Sequence, residues 1–215
     1  PRDREAEELD AAVELLIATG AGRYRERIVE MLPLVEAKTE RVGWLAARAL
    51  PHVDDEGFTR GVRRALEAWR PKLETELGKN PFGVPWDPRV WGEGWKLQRF
   101  AVEQYYLVRA FPDLFDREVI PRVLSFVLGA HPGSSTSFVS GVGARSLTTA
   151  YGFNRADWSY IAGGNVSGVA LIRPDFPELK EPWPFLWQQT EYVMPGAATY
   201  IFVVLAADEL LSEAP

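Results

Sequence analysis

Apolar residues recur at helical spacing from the N-terminus to residue 128. Leu9, Val13, Leu16 and Ile17 form a first stripe that Gly20 closes. Tyr24, Ile28 and Met31 begin a second. A short apolar segment, Trp44 to Leu50, ends at Pro51. Asp54 and Asp55 stand where caps open a longer helix with Phe58, Val62, Leu66 and Trp69 on one face. Pro71 predicts a kink in that helix and Gly78 its stop. Leu97, Phe100, Ala101, Gln104, Tyr105 and Val108 mark the next helix, which ends near Phe111-Pro112, and Val119, Val123, Phe126 and Val127 mark another. The joins are only a few residues long, which predicts antiparallel helical hairpins. A seventh helix starts at Pro195-Gly196, with Tyr200, Ile201, Val204, Leu205 and Leu211 as its expected buried face.

Between residues 129 and 190 the pattern lapses. Eight glycines fall between Gly129 and Gly168, and four prolines between Pro174 and Pro184. Structureless stretches beyond about 15 residues are uncommon in compact domains unless they serve a function or are disordered. Phe138, Tyr151, Phe153, Trp158, Tyr160, Trp183, Phe185 and Trp187 make the segment too apolar for disorder. A long, ordered, aromatic loop region on a helical scaffold is where a binding site is expected.

Composition narrows the classes. A chain of 215 residues with 47% apolar residues is the size of one domain with a substantial core. A net charge of −6 and the absence of a basic cluster argue against a nucleic-acid partner. No run approaches the roughly 18 apolar residues that span a bilayer, and the most apolar stretch, Ala197 to Ala207, ends in Asp208-Glu209. No membrane partner is therefore expected. The opening Pro1-Arg2-Asp3-Arg4-Glu5 is not a signal-peptide pattern, and without an initial Met it reports nothing on targeting. Cysteine is absent, which removes thiol catalysis and Cys-based zinc sites. His52 and His131 are the only histidines, too few for a His-rich metal site. Neither a cofactor nor a metal site is expected.

Six of the eight tryptophans lie between residues 86 and 187. Such residues fill cores, but their flat faces also stack on sugar rings. Among them Trp187-Gln188-Gln189-Thr190-Glu191-Tyr192 sets a carboxylate amid aromatics and amides, just ahead of a helix. The helix dipole there favours an ionised carboxylate; apolar walls favour the protonated form that a general acid needs. A Glu in that position also reads as an exposed or capping carboxylate. Glu93, within Trp91-Gly92-Glu93-Gly94-Trp95, fits either a sugar hydroxyl or a helix cap. Asp157 lies between Arg155 and Trp158, where pairing with an Arg would hold the loop. Asp113 and Asp116 are expected to be solvated in a turn.

The run from Val123 to Gly143 resembles a stretch of family 9 glycoside hydrolases: a helix ending in a Leu-Gly-x-x-Pro turn (Leu128 to Pro132), then Ser137-Phe138-Val139-x-Gly141-x-Gly143. Tyr160 to Asn165 is similar to that family's later double-Gly-Asn element, and Thr190-Glu191-Tyr192-Val193 lies where the family carries Asn-Glu. The resemblance implies an all-α chain of antiparallel helical hairpins forming the C-terminal part of an (α/α)6 barrel. Residues 1–215 would then be one incomplete domain with a long loop region at 129–190. It implies an inverting glycoside hydrolase with Glu191 as catalytic acid and a base on an Asp-x-x-Asp motif in the N-terminal half. The one such motif here, Asp113 to Asp116, is in the wrong place. Trp91, Trp95, Arg145, Tyr151, Asp157, Trp158, Trp187 and Tyr192 are the candidate sugar-binding residues. The expected partners are a saccharide and either the missing half-barrel or a second copy, and the family favours a secreted or periplasmic protein. Two departures weaken cellulose as substrate: Ala144 to Thr149 lacks the family's Pro-His-His-Arg, and Thr190 replaces Asn. The alternative is a non-catalytic carbohydrate-binding or scaffolding domain on a degenerate hydrolase fold.

Overall fold

The computed structural model describes residues 3–87, 89, 91–132, 134–148, 160–173, 176–178 and 187–213. Among these the fold is all-α, with nine helices and one small antiparallel ribbon. The helices are α1 (Arg4–Thr19), α2 (Gly22–Glu30), α3 (Leu32–Ala37), α4 (Thr39–Val53), α5 (Glu56–Leu77), α6 (Glu93–Ala110), α7 (Val119–Val127), α8 (Trp187–Thr190) and α9 (Met194–Ser212). Seven of them are the helices that hydrophobic spacing predicts; the short α3 and α8 are additional. The ribbon pairs β1 (Ala170–Arg173) with β2 (Phe176–Glu178).

The residues gather into two compact units, 1–75 with 103–117, and 76–102 with 118–215. In the first, α1 packs on α2 and α4. Leu9, Val13 and Leu16 of α1, Ile28 of α2, Val42, Leu45 and Ala46 of α4, and Phe58, Val62 and Leu66 of α5 are all buried. Local chemistry sets the boundaries. Gly20 ends α1 in a left-handed conformation with φ 65° and returns its N–H to the Leu16 carbonyl. Asp55 caps α5, its side chain accepting from the Phe58 N–H at 2.7 Å. Asp54 is the C-cap of α4 at φ 51°. Pro51 does not stop α4, which runs on to Val53, and α5 continues through Pro71 to Leu77. Asp113 is exposed, but it pairs with Arg63.

The second unit is organised by aromatic packing. Phe126 on α7 meets Phe82 and Phe138 edge-on at 5.4 and 6.2 Å between centroids. The His131 ring lies 4.6 Å from Phe138, with Nδ1 and Nε2 at 2.9 and 2.8 Å from the Pro132 and Thr136 carbonyls. α7 packs on α9. The buried face of α9 differs from the expected one: Gly196, Val203, Ala206, Ala207 and Leu210 are buried, whereas Ile201, Leu205 and Leu211 are about 60% exposed. The cause is composition. α9 is apolar on every side, so periodicity carries little information about direction, and its small residues face the interior. α9 is also, among the described residues, the one helix long and apolar enough to suit a bilayer by length and composition.

Candidate active site

Glu191 sits between α8 and α9, held by its own backbone. Ser167 N–H donates to the Glu191 carbonyl at 3.0 Å, Gly168 N–H donates to the Gln189 carbonyl at 2.9 Å, and Val166 bridges Tyr192. Its side chain is half-buried, and its Oε2 accepts the indole N–H of Trp91 at 2.7 Å. Trp91, 43% exposed, meets Trp95 edge-on at 5.3 Å with an 89° interplanar angle. Trp95 in turn rests on Gly196, where a β-carbon would come within 2.6 Å of the indole nitrogen. Glycine at the first turn of α9 is thus a requirement of the tryptophan beside it.

A buried amide pair fastens these segments together. Gln98 on α6 and Asn165 are both fully buried. Asn165 Nδ2 donates to Gln98 Oε1 at 2.5 Å and to the Gly196 carbonyl at 3.3 Å. Gln98 Nε2 donates to the Gly94 carbonyl at 3.0 Å and to Asn165 Oδ1 at 3.3 Å. One network therefore ties the start of α6, the loop at 165 and the start of α9. Ser167 adds a second tie: its hydroxyl accepts from Gly92 N–H at 2.6 Å and its carbonyl from Gly94 N–H at 2.9 Å.

Glu93 is neither an exposed sugar ligand nor a solvated cap. Its side chain is 1% exposed and neither carboxyl oxygen makes a close hydrogen bond. Burial holds this carboxyl above the usual range, against the opposing pull of Lys96 and Arg89 at 3.7 and 3.8 Å.

Of the candidate residues, Glu191, Trp91 and Trp95 come together. Tyr192 is joined through its backbone to Val166. Arg145 is exposed on the turn whose backbone returns to Ser137. Tyr151, Asp157, Trp158 and the side chain of Trp187 lie outside the described residues. Among the described residues no group of His, Cys, Asp and Glu could hold a metal. A groove of about 470 Å³ in the first unit, lined by Lys38, Arg41, Trp69 and Lys72 among others, contains none of the candidates. Sequence reading missed Gln98, Ser167 and Gly196. Gln98 had a usable signal, being polar directly beside Leu97 and three residues before Ala101 on the buried stripe.

No family model matches the chain, and no curated protein matches its sequence. Its fold is shared with solved glycoside hydrolases. The structure of AaCel9A in complex with cellobiose-like isofagomine superposes with a TM-score of 0.67 at 17% identity, over 94% of this chain and 43% of that one. A single mutant of a thermostable endoglucanase from Alicyclobacillus acidocaldarius gives 0.68 at 17% identity with the same coverage. A Zn-binding triple mutant of the family 9 endoglucanase J30 gives 0.59 at 18% identity, over 91% of this chain and 41% of that one. The chain therefore shares the fold of these endoglucanases and spans less than half their length.

Proposed function

We propose that this chain supplies the proton-donating side of an inverting glycoside hydrolase, with Glu191 as general acid and residues 1–215 as the C-terminal half of the barrel. The observation that carries the reading is the setting of Glu191, a half-buried carboxyl braced by an indole on a fold shared with endoglucanases. In the reaction, protonated Glu191 gives its hydrogen to the glycosidic oxygen as the bond from that oxygen to the anomeric carbon breaks. A water bonds to the same carbon from the opposite face, and its proton goes to a second carboxylate. Inverting geometry sets the two carboxyls roughly 6.5–9.5 Å apart to admit that water. Asp113 is a poor second carboxylate, since its hydrogen bond to Arg63 holds it below the usual carboxylate range and so makes it a weaker base. The base is assigned instead to the remaining half-barrel.

The exposed face of α9 supports an incomplete barrel. Met194, Ala198, Ile201 and Leu205 follow one another at four-, three- and four-residue steps, and all are exposed. Such a stripe is the kind of surface that a neighbouring helix covers. Glu191→Gln in the protein that joins this chain to its other half should lower hydrolysis by about 10²–10⁴-fold with saccharide affinity kept. Undiminished turnover in that variant would remove Glu191 from the mechanism.

A further inference from the structure

We infer that Trp91 is a positioning residue for Glu191 and dictates which of its two oxygens carries the transferable proton; the inference rests on the proposed role of Glu191. An indole nitrogen is a donor only and cannot accept a hydrogen bond. With Trp91 Nε1 donating to Oε2 at 2.7 Å, a second hydrogen on Oε2 would crowd the indole hydrogen and leave it sharing one lone pair fewer. The protonated acid therefore carries its hydrogen on Oε1, and the carboxyl group cannot turn over to exchange its oxygens without breaking this bond. Delivery to the glycosidic oxygen proceeds from Oε1, while Oε2 stays bound to the indole before and after transfer.

The rest of the local structure is built to keep the indole in place. Gly92 follows Trp91 at φ 84°, a left-handed turn suited to glycine. Gly92 N–H is bonded to the Ser167 hydroxyl, and Ser167 N–H is bonded to the carbonyl of Glu191 itself. The two residues, 100 positions apart in sequence, are thus connected twice, once directly through their side chains and once through Gly92 and the hydroxyl and N–H of Ser167. Trp95 packs at right angles to Trp91 and is itself seated on Gly196. The sugar-stacking role expected of Trp91 from sequence concerns its face; its nitrogen is engaged by the acid.

The test is Trp91→Phe, which keeps an aromatic ring against Trp95 and removes the N–H donor together with part of the indole's area. In the protein joined to its other half, kcat on the natural saccharide should fall about tenfold to a hundredfold, the range that misplacing a reacting group costs, with KM within twofold. In the full 215-residue chain alone, the Trp91 indole N–H resonance, assigned by its disappearance in Trp91→Phe, should lie downfield of a free indole and return upfield in Glu191→Ala. An unchanged kcat in Trp91→Phe, or an indole resonance that ignores Glu191→Ala, overturns the inference. A Glu191→Gln enzyme with full activity would instead sink the underlying catalytic role, and the resonance experiment would still decide the hydrogen bond.

Discussion

Removal of the Asn165 amide offers a quantitative test of how the site is held. Asn165→Ala deletes three hydrogen bonds at once: Nδ2 to Gln98 Oε1, Nδ2 to the Gly196 carbonyl, and Gln98 Nε2 to Asn165 Oδ1. The two bonds at 3.3 Å are long and contribute little. The larger cost is Gln98 Oε1, left fully buried without its donor, at about 1–3 kcal/mol for such a group. With the weaker bonds included, the variant should lose about 3 kcal/mol, and Gln98→Ala should lose a similar amount for the mirror-image reason. The double variant orphans neither amide, so its cost should fall short of the sum by about 2 kcal/mol. The assay is urea unfolding followed by tryptophan fluorescence on the wild type, both single variants and the double variant. Costs that add to within about 0.5 kcal/mol would show that the two amides do not act as a pair, and the proposed bracing of α6 against α9 would fall with them.

Other substitutions test separate points. Glu93→Gln should raise the urea midpoint at pH 7, because burial raises the Glu93 carboxyl above its ordinary value of 4.5 and ionisation therefore costs stability in the folded chain. The sign reverses the usual acid case: the penalty is complete above the raised folded value and vanishes as pH falls below 4.5, so the two midpoints should converge there, and a midpoint lower than wild type at pH 7 would mean that Lys96 and Arg89 outweigh burial. Gly168→Ala should destabilise by about 3 kcal/mol, combining a left-handed backbone with overpacking, because φ is 82° and the new methyl would lie 2.4 Å from the buried Phe138 ring; an unshifted urea midpoint would contradict that placement. Ile201→Lys with Leu205→Lys should leave the helical circular dichroism of the isolated chain unchanged while abolishing concentration-dependent association in sedimentation velocity. A wild-type chain that sediments as a monomer at every concentration would count against an uncovered α9 face.

Helix content was legible because most helices here are amphipathic or clearly punctuated. Leu9, Val13 and Leu16 announce α1, and Gly20 marks its end to the residue. Pro51 misled at the margin, because a helix can run past a proline when neighbouring turns hold it. α9 shows a different limit. A helix apolar on all sides has no preferred direction in sequence, so Ile201 and Leu205 read as core although they face outward. The position of Glu191 ahead of the last helix was readable from Pro195-Gly196. Its indole partner was not, because a contact across 100 residues leaves no local trace. The amide pair was hidden for the same reason: Gln98 and Asn165 are each ordinary until the fold sets them face to face.

The most direct trial of Glu191 as proton donor compares leaving groups. In the protein completed by its other half, Glu191→Gln should be nearly inactive on glycosides whose leaving group is another sugar, since that oxygen needs a proton to depart. The same variant should retain much of its turnover on dinitrophenyl glycosides, whose leaving oxygen needs none. Equal losses on both classes of substrate, or no loss on either, would contradict the assignment.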